Sequence, residues 1–224
     1  MLKALIFDFD GLILDTETPE FEAWKAIFAA HGHEFPLDFY ASFLGKGASL
    51  IEEWPLDRLA RLTGGEIDRD SIERAYEQRR MQTILSSEIL PGVTDLLADA
   101  KASGLKIGLA SSSKHRWVDA HLERLGLLHY FETIACADDV ERAKPFPDLY
   151  LLACANLGVQ PHEALALEDS SNGSRAAQAA GVFVVVVPNP ATSWHDLSHA
   201  NARLESLAGV SVDAVRQLML TSPA

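Results

Sequence analysis

Five short runs of aliphatic residues punctuate the chain: KALIF ending at Phe7, LKIGLA ending at Ala110, ETIAC ending at Cys136, ALAL ending at Leu167 and VFVVVV ending at Val187. Apart from Lys3, Lys106, Glu132 and Thr133 near their leading ends they are apolar instead of alternating with polar residues, which is the signature of strands covered on both faces. Helical stretches separate them, each closed by a glycine: Pro91 to Gly104, Lys114 to Gly126, Phe146 to Gly158 and Ser171 to Gly181. Strand and helix therefore alternate, and the pattern predicts an α/β fold with a parallel, Rossmann-like sheet.

Residues 16–86 break this rhythm. They contain no strand-like run and about three helical patterns. One opens at Thr18 and Pro19 with Phe21, Trp24 and Phe28 on a stripe, one runs through Leu56, Leu59 and Leu62 to Gly64 and Gly65, and one carries Ile72, Ala75 and Tyr76. The expected organisation is a core of residues 1–15 and 87–224 with a helical insert at 16–86, joined by hinges near Leu14-Asp15 and Ser86 to Pro91.

Composition narrows the functional classes. With 32 acidic and 19 basic residues the formal net charge is −13, which repels nucleic acid and anionic membrane surfaces. No apolar run approaches the length of a bilayer span, and the two cysteines, Cys136 and Cys154, have no paired metal spacing. A cytoplasmic protein with a small-molecule partner is expected, with no nucleic acid or membrane partner, as a monomer or weak homodimer.

In open parallel sheets ligands bind beyond the carboxyl ends of the strands. The residues there carry chemistry. Asp8 and Asp10 follow the first run, Ser111 to Ser113 the second, and Glu168 with Asp169 the fourth; Lys144 lies in the loop after the third. Taken singly, each has a bland role: aspartates and serines cap helices and turns, and loop lysines are commonly solvated. Taken together they form a carboxylate cluster that needs a cation, since two unit charges about 4 Å apart repel by about 4 kcal/mol at an effective dielectric near 20. Oxygen donors without histidine or thiolate favour Mg2+. The eight histidines fall mostly in helical or loop stretches away from these strand ends and read as surface or core, which disfavours zinc. Lys144 and a helix start behind Ser111 suit a phosphoryl group.

Four segments, DFDG at Asp8 to Gly11, ASSS at Ala110 to Ser113, KPFPD at Lys144 to Asp148 and LEDSSNG at Leu167 to Gly173, resemble in kind and order the haloacid dehalogenase-like hydrolases. Within that superfamily the resemblance is to the branch of β-phosphoglucomutase and small sugar-phosphate phosphatases. It implies a Rossmann-like core with a mobile helical-bundle cap, Asp8 as nucleophile of an aspartyl-phosphate intermediate, Asp10 as proton carrier, and Ser111 and Lys144 as holders of the phosphoryl oxygens. Asp8, Asp10 through its main-chain carbonyl, Glu168 and Asp169 would bind magnesium. Gly11, Ser112, Lys46 and Glu20 would meet the substrate.

Two departures favour hydrolysis over mutase chemistry. Glu20 stands where mutases carry a histidine, and Leu50 where they carry an arginine for a second phosphate. The expected activity is Mg2+-dependent hydrolysis of a small phosphorylated metabolite, a sugar phosphate by preference. The alternative is a phosphosugar mutase. A dehalogenase is opposed by Asp10, and a phospho-receiver module by the helical insert and the length of the chain.

Overall fold

The computed structural model describes residues 1–43, 51–190, 192, 193 and 196–221. The chain divides into two compact units, one of Met1–Leu14 with Glu88–Ala224, the other of Asp15–Ser87.

The first unit holds strands β1 (Ala4–Phe7), β2 (Lys106–Ala110), β3 (Thr133–Ala135), β4 (Ala164–Glu168), β5 (Phe183–Val186) and β6 (Ala202–Arg203), ordered β3-β2-β1-β4-β5-β6 with every neighbouring pair parallel. Four of its helices, Val93–Ala102, His115–Arg124, Asp148–Leu157 and Ser171–Ala179, make the crossovers that parallel pairing demands. β1, β4 and β5 are almost entirely buried. On one face Ala4, Ile6, Ala166, Val184 and Val186 pack with Leu149, Tyr150, Ala153 and Leu157 of the Asp148–Leu157 helix. The intervening residues Leu5, Phe7, Leu109 and Leu165 are fully buried as well, as the two-residue period of a doubly covered strand requires. Each such side chain contributes roughly 1.5–3 kcal/mol.

β1 lies between β2 and β4, so the chain first builds outward on one side of β1 and then crosses to the other. That reversal leaves a crevice beyond the ends of β1 and β4, where Asp8, Glu168 and Asp169 stand.

The helical unit contains α1 (Glu17–Ala30), α2 (Leu37–Phe43), α3 (Pro55–Leu62) and α4 (Arg69–Ser86). It is held by aromatic packing. Trp24 stacks on Tyr76 at 4.4 Å, Phe28 meets Phe35 at 4.8 Å, and Phe21 meets Tyr40 at 5.3 Å between ring centroids. Asp68 caps α4 by accepting from the Ser71 amide at 3.1 Å. With α5 to α8 assigned in order to the four crossover helices, α9 (Val212–Thr221) completes the first unit.

Several boundaries differ from the sequence expectation. β4 runs one residue further, so Glu168 ends the strand instead of following it. β3 stops at Ala135 because Cys136 turns the chain into a 3-10 segment at Ala137–Asp139. α5 starts at Val93, after a Pro91-Gly92 turn. The insert carries a fourth helix, α2, and β6 and α9 add to the elements that the sequence pattern predicts. Among the described residues no helix is long and apolar enough to cross a membrane.

Candidate active site

β1 delivers Asp8 to the rim with its amide already satisfied by the Leu167 carbonyl at 2.9 Å. The carboxylate is buried, 5% exposed. Lys144 reaches it from the loop after β3: Nζ donates to Asp8 Oδ1 at 2.5 Å and pairs with Glu168 Oε1 at 2.6 Å. The lysine side chain is itself only 5% exposed. One ammonium thus braces the ends of β1 and β4. Burial pushes the Asp8 carboxyl well above the usual carboxylate range, Lys144 pulls against that, and Glu168 pushes it up again. Burial disfavours the Lys144 charge, but its two carboxylate neighbours outweigh that and hold it protonated. Removing one partner of such a buried pair typically costs 3–5 kcal/mol, because the remaining charge is stranded.

Glu168 is anchored on every side. The Tyr150 hydroxyl donates to Oε1 at 2.5 Å and the Ser170 hydroxyl to Oε2 at 3.3 Å. Ser170 also caps α8 by accepting from the Gly173 amide at 3.2 Å, which sets Glu168 near the positive end of that helix. Gly173 has to be glycine: a Cβ there would stand 2.0 Å from both Glu168 carboxylate oxygens.

Asp169 is oriented from the end of β5. Asn189 Nδ2 donates to Asp169 Oδ2 at 2.9 Å and to the Gly11 carbonyl at 3.1 Å. Asn189 is held by a reciprocal pair of bonds with Thr192, of 3.1 and 3.0 Å. Gly11 adopts φ 84°, and a Cβ on it would come within 2.2 Å of Asp169 Oδ2, so the turn after DFD needs glycine on both counts.

These residues fit a magnesium ion. One oxygen each from Asp8, Glu168 and Asp169 lie within 4.8 Å of one another, a grouping tight enough to close on a single ion whose ligands stand about 2.0–2.1 Å from it. All the donors are hard oxygens. Three carboxylates facing one ammonium leave two formal negative charges, the complement of a divalent cation.

Asp10 lies in a different environment. It is half-buried, and its carboxylate points toward α6. Trp117 Nε1 donates to Oδ1 at 3.0 Å, the Ser113 hydroxyl to Oδ2 at 2.6 Å, and the Ser111 hydroxyl lies 3.5 Å from Oδ2. Ser111 is buried, receives the Ser113 amide at 3.0 Å, and anchors its own amide on the Ala135 carbonyl. Ser112 is exposed.

Two further substrate contacts, Glu20 and Lys46, are expected from residues 15–87, the second compact unit. Glu20 lies on α1 in the helical unit, where Tyr76 hydrogen-bonds to it. Lys46 lies outside the described residues, as does Leu50. Among the histidines, His115 at the start of α6 lies close to Cys136 and Asp138. Its ring nitrogens are engaged by Asp119 at 3.1 Å and Asp139 at 2.7 Å.

Sequence reasoning passed over Tyr150, Asn189, Thr192, Gly173 and Trp117. Asn189 is the one with a local signal, because it stands two residues beyond the apolar run ending at Val187, near a strand end as Asp8 is. Tyr150 and Trp117 sit inside helical patterns, where a core residue and a site residue look alike.

Residues 5–187 match the family model described as haloacid dehalogenase-like hydrolase. A relative from Bacillus subtilis named "Putative phosphatase YhcW" is 47% identical over 93% of both chains. The phosphorylated carbohydrates phosphatase of Thermotoga maritima is 32% identical over 81% of this chain and 82% of its own. Among solved structures, CbbY from Rhodobacter sphaeroides in complex with phosphate aligns with a TM-score of 0.72 and 30% identity, covering 96% of this chain and all of the other.

Proposed function

The chain belongs to the haloacid dehalogenase-like hydrolases and acts on phosphate esters, and from that premise we propose that it is a Mg2+-dependent phosphatase of a small phosphorylated sugar, working through an aspartyl-phosphate. The observation that carries this reading is the placement of Asp8. It is buried at the end of the central strand, braced by Lys144 and flanked by two more carboxylates, while a second carboxylate two residues on is held apart from that cluster by its own donors.

In the first step an Asp8 carboxylate oxygen attacks phosphorus, the bond to the sugar oxygen breaks, and Asp10 gives that oxygen a proton. In the second, Asp10 takes a proton from water as the water oxygen attacks the same phosphorus. Asp8 and inorganic phosphate are released. Lys144 and the Ser111 hydroxyl hold phosphoryl oxygens and oppose the charge that spreads over them. Asp8, Glu168, Asp169 and the Asp10 carbonyl would hold magnesium, whose charge, when bound, keeps Asp8 ionised and offsets that of the phosphoryl group. Gly11 and Ser112 would meet the substrate, and Glu20 and Lys46 are the candidate contacts for its sugar. The T. maritima relative's name, phosphorylated carbohydrates phosphatase, supports the substrate class.

A panel of sugar monophosphates, followed for both phosphate release and isomer formation, tests the assignment. Phosphate release is expected, abolished by Asp8→Asn and by EDTA and restored by added magnesium. Turnover by Asp8→Asn would refute the nucleophile, and isomer formation without phosphate release would replace the phosphatase with a mutase.

A further inference from the structure

The indole of Trp117 is fixed before any substrate arrives. It projects from the first turn of α6 and meets the ring of His121, one helical turn on, edge-to-face at 4.2 Å. His121 is buried, lies against Phe9 at 6.1 Å, and accepts from Arg124 Nε at 3.4 Å through Nδ1. Packing alone would be served by any aromatic ring. The indole N–H, however, is directed at Asp10 Oδ1 while Ser113 takes Oδ2, so both oxygens of one carboxylate are held from the same helix and the turn before it.

We propose that Trp117 and Ser113 are positioning residues for Asp10, holding the plane of its carboxylate so that the proton reaches the leaving oxygen along a fixed line. This rests on the assignment of Asp10 as proton carrier. The clamp matters in proportion to the need for that proton. A sugar leaves as an alkoxide of high basicity and depends on protonation, whereas dinitrophenolate leaves without it.

The test compares kcat/KM, which reports the first phosphoryl transfer, for the sugar monophosphate turned over fastest in the panel and for 2,4-dinitrophenyl phosphate. Trp117→Phe keeps the ring against His121 and removes the N–H. It should lower kcat/KM for the sugar phosphate about ten- to a hundredfold and that for the dinitrophenyl ester by less than about threefold. Ser113→Ala should act in the same sense and Ser113→Thr should restore the sugar phosphate rate; this pair carries the test if Trp117→Phe does not fold. Asp10→Asn is the reference. If it separates the two substrates while Trp117→Phe and Ser113→Ala lower both equally or neither, the clamp is wrong and the role of Asp10 stands. If Asp10→Asn itself fails to separate them, the role of Asp10 falls and the clamp with it.

Discussion

Asp8 and Asp10 are separated by one residue, yet the fold treats them as opposites. Asp8 faces a dry, ionic pocket where Lys144 and Glu168 are its closest company. Asp10 is half-buried and faces neutral donors, an indole and a hydroxyl. An ionic, water-poor pocket suits a group that must become covalently attached and stay in register with a cation. A neutral, partly wetted one suits a group that has to change protonation state during turnover. Role follows surroundings here, more than residue type.

The sharpest way to break this contrast is Lys144→Met. It leaves Asp8 and Glu168 facing each other, so the metal-free protein should lose about 3–5 kcal/mol and catalysis should fall about a thousandfold or more. Magnesium should raise the Tm of the variant more than that of the wild type, because it relieves a repulsion the lysine otherwise moderates. Equal melting curves for variant and wild type would show that the pair does not brace the strand ends.

Asp10→Asn should behave differently. Its oxygen can still accept from Trp117 or Ser113, so the Tm should shift little, while kcat falls about a hundredfold or more with KM largely unchanged. A large drop in Tm would mean that Asp10 is as structural as Asp8, and the contrast would collapse.

Gly173→Ala probes the ionic side through its backing. The added methyl collides with both Glu168 oxygens, so a loss of about 1–3 kcal/mol is expected. The magnesium concentration for half-maximal activity should rise as Glu168 is displaced. Unchanged magnesium dependence would argue that Glu168 stands outside the metal's reach.

Much of this arrangement could be read from the chain because strand ends announce themselves. An unbroken apolar run followed by Asp8, by Ser111, or by the pair Glu168 and Asp169 gives both the sheet and the rim where the ligand belongs. What stayed hidden depends on contacts between distant segments. Nothing local distinguishes Tyr150 from its apolar neighbours in α7, since its hydroxyl has meaning only against Glu168. β6 is two residues long, stabilised by pairing with β5 rather than by its own pattern. α2 is seven residues rich in aromatics, which read as core without declaring a period.

The smallest expected effect falls on the Asp10 side, through His115. Burial alone would lower the pKa of this imidazole, but its bonds to Asp139 and Asp119 outweigh burial and raise it. A histidine with a raised folded-state pKa adds stability that is fully present below its unfolded value, near 6.5, and is lost as pH climbs through the folded value. Because the pairs are partly exposed, the contribution should be under about 1 kcal/mol. His115 joins the first turn of α6 to the 3-10 segment after β3, and the same turn carries Trp117. Raising pH from 6 upward should therefore lower the Tm slightly more in the wild type than in His115→Gln, the difference between the two slopes being the share of His115. If His115→Gln keeps the full pH slope of the Tm, the stapling of α6 lies with other groups, and the Asp10 pocket is held by packing instead of charge.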